Sequence, residues 1–183
     1  MNEYGLLNPD DYNLTIVGLN ATPTGAVDVC VLRFNAAATT TGNIAIADWC
    51  EVLTTADEGT TFRILRPGLY SCTLGVSMPA SSAAWPGISV DAPAQRRSEN
   101  PSVATDPAVF VAGAGLITTV AAQTDVEHVP AVVPVSQLAA NGGDSTIRFH
   151  CSDGADAAVA AASLDLPQVF ARIQRVGDLR SRA

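Results

Sequence analysis

The chain has 183 residues, a formal net charge of −8, ten arginines, no lysine and 48% apolar residues. That length suits one domain. The charge has the wrong sign for a protein that neutralises phosphates, so nucleic acid is not an expected partner; no stretch approaches the roughly 20 apolar residues of a membrane helix, so no membrane is expected either.

The apolar set is rich in Ala and Val, with only five Phe, three Tyr and two Trp, beside fourteen Gly and eleven Pro. Small and β-branched residues interrupted by turn formers predict short strands. Residues 1–25 read as an N-terminal arm, with turns at Asn8-Pro9-Asp10-Asp11 and Thr22-Pro23-Thr24-Gly25 and one short strand near Leu14–Val17. The first residues have no basic start and no long apolar run, so no signal peptide is expected. The apolar patch Leu14, Ile16, Val17 and Leu19 in this polar setting cannot by itself offset its ordering entropy, which makes it a candidate docking segment that orders on a partner.

Residues 26–183 read as one body. Strands are predicted over 27–34, 44–53 and 60–65, the last with Phe62 and Ile64 on one face and Arg63 on the other. Pro67-Gly68 marks a turn before a strand over 69–78, and a short strand follows over 87–90. Residues 91–107 hold three prolines and a local run of charge, which predicts a long exposed loop. The apolar runs 109–122 and 126–138 come next. Pro130 and Pro134 put the second at a sheet edge or a bulge. Asn141-Gly142-Gly143-Asp144 is a turn into a strand over 146–151, with Ile147 and Phe149 inward. An Ala-rich stretch over 153–166 reads equally as a short helix or a loop. In the last strand, over 169–176, Val169, Ala171 and Ile173 share one side and Phe170, Arg172 and Gln174 the other. Nine or ten short strands and no convincing long helix predict an all-β, antiparallel jelly-roll β-sandwich.

Chemistry is sparse. Nucleophilic catalysis needs a base beside the nucleophile and a third group to orient it. Only His128 and His150 are available, and His150 points away from its neighbour Cys151 in a strand. Gly75-Val76-Ser77-Met78-Pro79 lacks the spacing of a nucleophile elbow. The acidic pairs Asp10-Asp11, Asp57-Glu58 and Asp153/Asp156 sit in predicted turns, where solvated carboxylates are the rule. Cys30, Cys50, Cys72 and Cys151 form no C-x-x-C pair, and three of them lie in apolar runs, so free buried thiols are expected and no metal or other cofactor. An enzyme is not expected.

Phe62-Arg63-Ile64 followed by Pro67-Gly68-Leu69-Tyr70, then Gly143-Asp144-Ser145-Thr146-Ile147-Arg148-Phe149, then Val169-Phe170-Ala171-Arg172-Ile173 resemble, in this order, strands of the C1q and tumour-necrosis-factor family of trimeric jelly rolls. The family's glycine after the terminal Phe is Ala171 here. The resemblance implies a homotrimer around a threefold axis, with Tyr70 and Phe170 as candidate interface residues. An acidic jelly roll with a polar arm is also similar, by architecture alone, to capsid decoration (cement) proteins of bacterial viruses. That likeness implies a virion protein on the capsid surface, with the major capsid protein as partner and Leu14, Ile16, Val17 and Leu19 docking on it. The alternative is a glycan-binding host-recognition module of a phage tail or head fibre, for which Trp85, in Ala84-Trp85-Pro86-Gly87, is the candidate contact.

Overall fold

A computed structural model of the chain describes residues 13–19, 31–34, 49–55, 59–90, 110–113, 117–118, 125–135, 145–152 and 164–177. These form strands β1 (Asn13–Val17), β2 (Cys50–Thr55), β3 (Gly59–Ile64), β4 (Gly68–Met78), β5 (Ala83–Val90), β6 (Phe110–Gly113), β7 (Ile117–Thr118), β8 (Asp125–Val135), β9 (Ser145–Ser152) and β10 (Phe170–Gly177). A 3₁₀ turn, Leu166–Gln168, precedes β10. The loop expected over 91–107 and the ambiguous stretch over 153–163 lie outside the described residues, as do residues 1–12 and 20–25 of the arm and residues 27–30 and 44–48 of the first two expected strands.

The strands make two sheets, one of four in the order β1-β10-β4-β8 and one of six in the order β2-β3-β9-β5-β6, with β7 also against β5. All pairings between strands are antiparallel. The chain crosses from sheet to sheet between β3, β4 and β5, and again between β8, β9 and β10. The architecture is an antiparallel jelly-roll β-sandwich.

Side-chain alternation explains why these segments pair as they do. Tyr70, Cys72, Leu74, Val76 and Met78 of β4 and Val169, Ala171 and Ile173 around β10 are buried, and so are Phe62 and Ile64 of β3 and Ile147, Phe149 and Cys151 of β9. Two apolar stripes of period two meet between the sheets. Within them Phe34, Phe62 and Phe149 form an edge-to-face triad with centroids 5.3 to 6.2 Å apart. Trp49, leading into β2, lies 5.4 Å from Tyr70 of the other sheet and ties the two layers together. Cys50, Cys72 and Cys151 are buried thiols outside any disulfide; Cys30 lies outside the described residues. Burial pushes the Cys50 thiol up, helped by nearby Cys72, and pushes Cys72 up to about 12, so both stay protonated and unreactive.

Prolines find the expected positions. β8, which holds Pro130 and Pro134, is an edge strand. Pro86 lies inside β5, which is longer than the predicted 87–90: the described pairings with β6 and β7 take Gly87–Ser89 and Ala83–Ala84 and skip Trp85 and Pro86, where the imide has no donor to give.

One expectation is corrected. Residues 13–19 are not a free arm. β1 pairs with β10 from Asn13↔Gln174 to Val17↔Phe170, and Leu14, Ile16 and Leu19 are buried in the core. The chain's own last strand supplies the surface that the sequence assigned to a partner. The bonds Gly18 N–H to Val169 O and Leu19 N–H to Leu166 O continue the attachment.

Between β2 and β3 the chain returns through Gly59, whose φ is +74° and whose missing Cβ would lie 2.8 Å from the Val31 carbonyl oxygen. A side chain there meets both an unfavourable backbone region and a neighbouring main chain. Gly59→Ala is expected to destabilise the domain by about 1–3 kcal/mol, read as a lower urea midpoint at unchanged slope. A midpoint equal to that of the parent would refute this account of the turn.

Candidate functional site

The two outward sheet faces differ in chemistry. On the six-stranded sheet the outward row carries several charged and hydroxyl side chains, with Leu53 of β2 exposed among them. Arg63 pairs with Glu51 at 3.0 Å across β2 and β3. Arg148 of β9 donates to Thr61 Oγ1 at 3.0 Å and Thr146 Oγ1 at 3.3 Å. Beside it, Ser89 of β5 and His150 of β9 share a hydrogen bond between Oγ and Nε2. Both are sealed from solvent, at 0% and 1% exposure.

Ser89–His150 is a pairing of hydroxyl and imidazole that the sequence does not display, because its members lie 61 residues apart and meet only through the β5–β9 register. Burial, and then the nearby Arg148 guanidinium, lower the His150 pKa to about 3. The imidazole is therefore neutral at physiological pH and a poor proton acceptor. Its conspicuous effect is on stability. The unfolded chain takes up the proton near pH 6.5 and the folded chain only near 3, so the contribution is intact above pH 6.5 and is lost as pH falls between those values, by at most about 1.4 kcal/mol per pH unit for one proton. His150→Gln is expected to flatten the fall in urea midpoint between pH 6.5 and 4. An unaltered slope would place the acid sensitivity elsewhere.

On the four-stranded sheet the outward row is nearly free of charge. From β1 it takes Thr15 and Val17, from β10 Phe170, Arg172 and Gln174, from β4 Ser71, Thr73 and Gly75, and from β8 Pro130 and Val132. Arg172 is the sole charged side chain among those described on this face. Val132 is 62% exposed, the largest value among the large apolar residues described. Phe170 is half-buried because its ring lies down on the sheet: a Cβ on Gly75, its partner in β4, would fall 2.0 Å from the ring. Glycine makes the seat and phenylalanine fills it. The outcome is a low surface of hydroxyls, small groups and one flat aromatic.

Of the residues singled out in the sequence, Phe170 and Val17 sit together on this face, as partners across β1 and β10. Tyr70 does not. It is fully buried, its ring against Trp49 and its hydroxyl donating to Arg66 O at 2.6 Å. Burial raises its pKa, partly offset by Arg175. An aromatic opening a strand can face either way, and the β4 register turns this one inward, so Tyr70 is corrected from interface to core. Trp85 lies in β5 opposite Ser152, not on a loop; its side chain lies outside the described residues. Gly75 and Val132 were missed. Glycine within an apolar strand was the available signal for the first.

Gly75→Val is expected to lift the Phe170 ring off the sheet. Crowding of this kind costs typically about 1–3 kcal/mol, and here the ring has solvent to move into. The melting temperature should therefore fall by only a few degrees while the near-ultraviolet aromatic signal changes clearly. A large loss of stability with an unchanged aromatic signal would show that the ring cannot move.

No protein-family profile and no curated protein matches the chain. Solved structures do. Murine APRIL at pH 8.0 aligns over 90% of this chain and 98% of its own, with a TM-score of 0.52 at 14% identity. Murine APRIL at pH 5.0 aligns over the same shares, with a TM-score of 0.53 at 15% identity. These are tumour-necrosis-factor-family jelly rolls. At such identity the likeness is one of fold.

Proposed function

We propose that the chain is a non-enzymatic structural module that assembles as a homotrimer through the outward face of its four-stranded sheet, and that in this form it decorates the capsid of a bacterial virus, bound to the major capsid protein. The observation that carries the assembly is the face itself: one charge among its described side chains, an aromatic seated flat, and Val132 62% exposed. Such a face has fewer charges to strip of water when it is covered than the other outward face, with Arg63, Glu51 and Arg148. The jelly-roll fold of tumour-necrosis-factor-family neighbours supports self-association. The capsid setting rests on architecture and on the net charge of −8, which suits a coat that does not adhere to nucleic acid. A module that binds the assembled shell better than its free subunits stabilises the shell by mass action, and threefold valency strengthens each weak contact.

A non-enzymatic role accords with the burial of Ser89 and His150, since a nucleophile must reach its substrate. With β1 part of the sandwich, the docking surface for the capsid lies outside Leu14, Ile16 and Leu19, and deletion of residues 1–20 should lower the melting temperature sharply by exposing β10.

Sedimentation equilibrium at tens of micromolar should give the mass of three chains of 18.9 kDa each, and Val132→Asp should give one chain with an unchanged far-ultraviolet spectrum. A parent that remains monomeric removes the trimer. Density-gradient fractions of the virus should carry the chain in the band of the major capsid protein. Its absence from that band, with binding on a glycan array, would favour the fibre module instead.

A further inference from the structure

β8 is the edge of the four-stranded sheet and carries Pro130 and Pro134, opposite Thr73 and Leu69 of β4. Proline brings no N–H to a ladder. The two are four residues apart, an even number, so their nitrogens lie on the same side of the strand. The register with β4 runs unbroken from Asp125↔Met78 to Val135↔Gly68. Two missing donors on the β4 side would interrupt that ladder, whereas on the other side they remove nothing the sheet itself uses.

We infer that both nitrogens point away from the sandwich, and that β8 is an edge closed to sheet extension by a second copy of the chain. A strand arriving along the outer side of β8 reads every second residue. Over positions 130, 132 and 134 it meets a donor only at Val132, so no continuous ladder forms. The opposite edge of the same sheet differs: among the described residues β1 is five long, a short template for pairing. Any contact that two copies make through this sheet therefore uses its face and does not lengthen it. This holds for any closed assembly of the chain and does not depend on the trimer being its final form.

Hydrogen exchange on the unaltered protein reads the orientation directly. The amides of Ala131 and Val133, bonded to β4, should be protected by several orders of magnitude, and that of Val132, in phase with the prolines, should exchange nearly as fast as an unstructured amide. A protected Val132 between two open neighbours overturns the inference. The double variant Pro130→Thr, Pro134→Thr tests the consequence. It should show a concentration-dependent rise in sedimentation coefficient beyond the state of the parent, with thioflavin binding and an essentially unchanged melting temperature. If the restored donors face β4 instead, the variant melts higher and its mass stays that of the parent, which refutes the closed edge. Unchanged mass and unchanged melting together refute it equally.

Discussion

Three phenylalanines meeting edge to face set the terms for the rest of the sandwich. The chain has five in all, and Phe34, Phe62 and Phe149 are spent on one contact. They come from β3, from β9 and from the segment at 31–34, which is joined to its neighbours by the single bridges Leu19↔Phe34 and Val31↔His150. That segment is held by Leu32 N–H donating to Phe149 O at 2.8 Å, Thr60 N–H to Leu32 O at 3.0 Å and Phe34 N–H to Thr60 Oγ1 at 2.9 Å. The triad draws residues 31–34 against β9, and their closeness to the start of β3 is what forces glycine at 59. In a core whose other large rings are Trp49 and Tyr70, this is where bulk fixes geometry.

What the sequence disclosed follows from how local each feature is. Side-chain alternation is local, so the inward sets of β3, β9 and β10 were legible, as was the edge placement of a strand holding Pro130 and Pro134. Pairing between distant strands is not. Leu14 and Ile16 looked like an arm because the strand that covers them, β10, stands at the other end of the chain. The seat of Phe170 on Gly75, and the bond between Ser89 and His150, arise only when sheet order sets the register. Tyr70 shows the same limit from the other side: its neighbours in sequence say that it lies in a strand, and only Trp49 and Arg66 O say which way it faces.

The two outward faces show how one fold keeps two surfaces apart. The six-stranded face ties its arginines to Glu51, Thr61 and Thr146, and such groups are well solvated. The four-stranded face sets Val17, Pro130, Val132 and one folded aromatic among its hydroxyls, with Arg172 as its one described charge, so covering it strips water from fewer charged groups. Neither face offers an accessible pair of catalytic groups among the described residues. The physical contrast between them is one of charge: the first face holds an ion pair and a tethered guanidinium, the second one described charge.

The seat on β4 also makes positions 75 and 170 a single unit of inheritance. A larger residue at 75 is tolerated only where the ring at 170 has been lost or turned away, and a ring at 170 lies flat only over glycine. Divergent copies of this sandwich should therefore keep both or change both, whatever becomes of the loops around them, and a surface that alters at this pair alters its partner choice in one step.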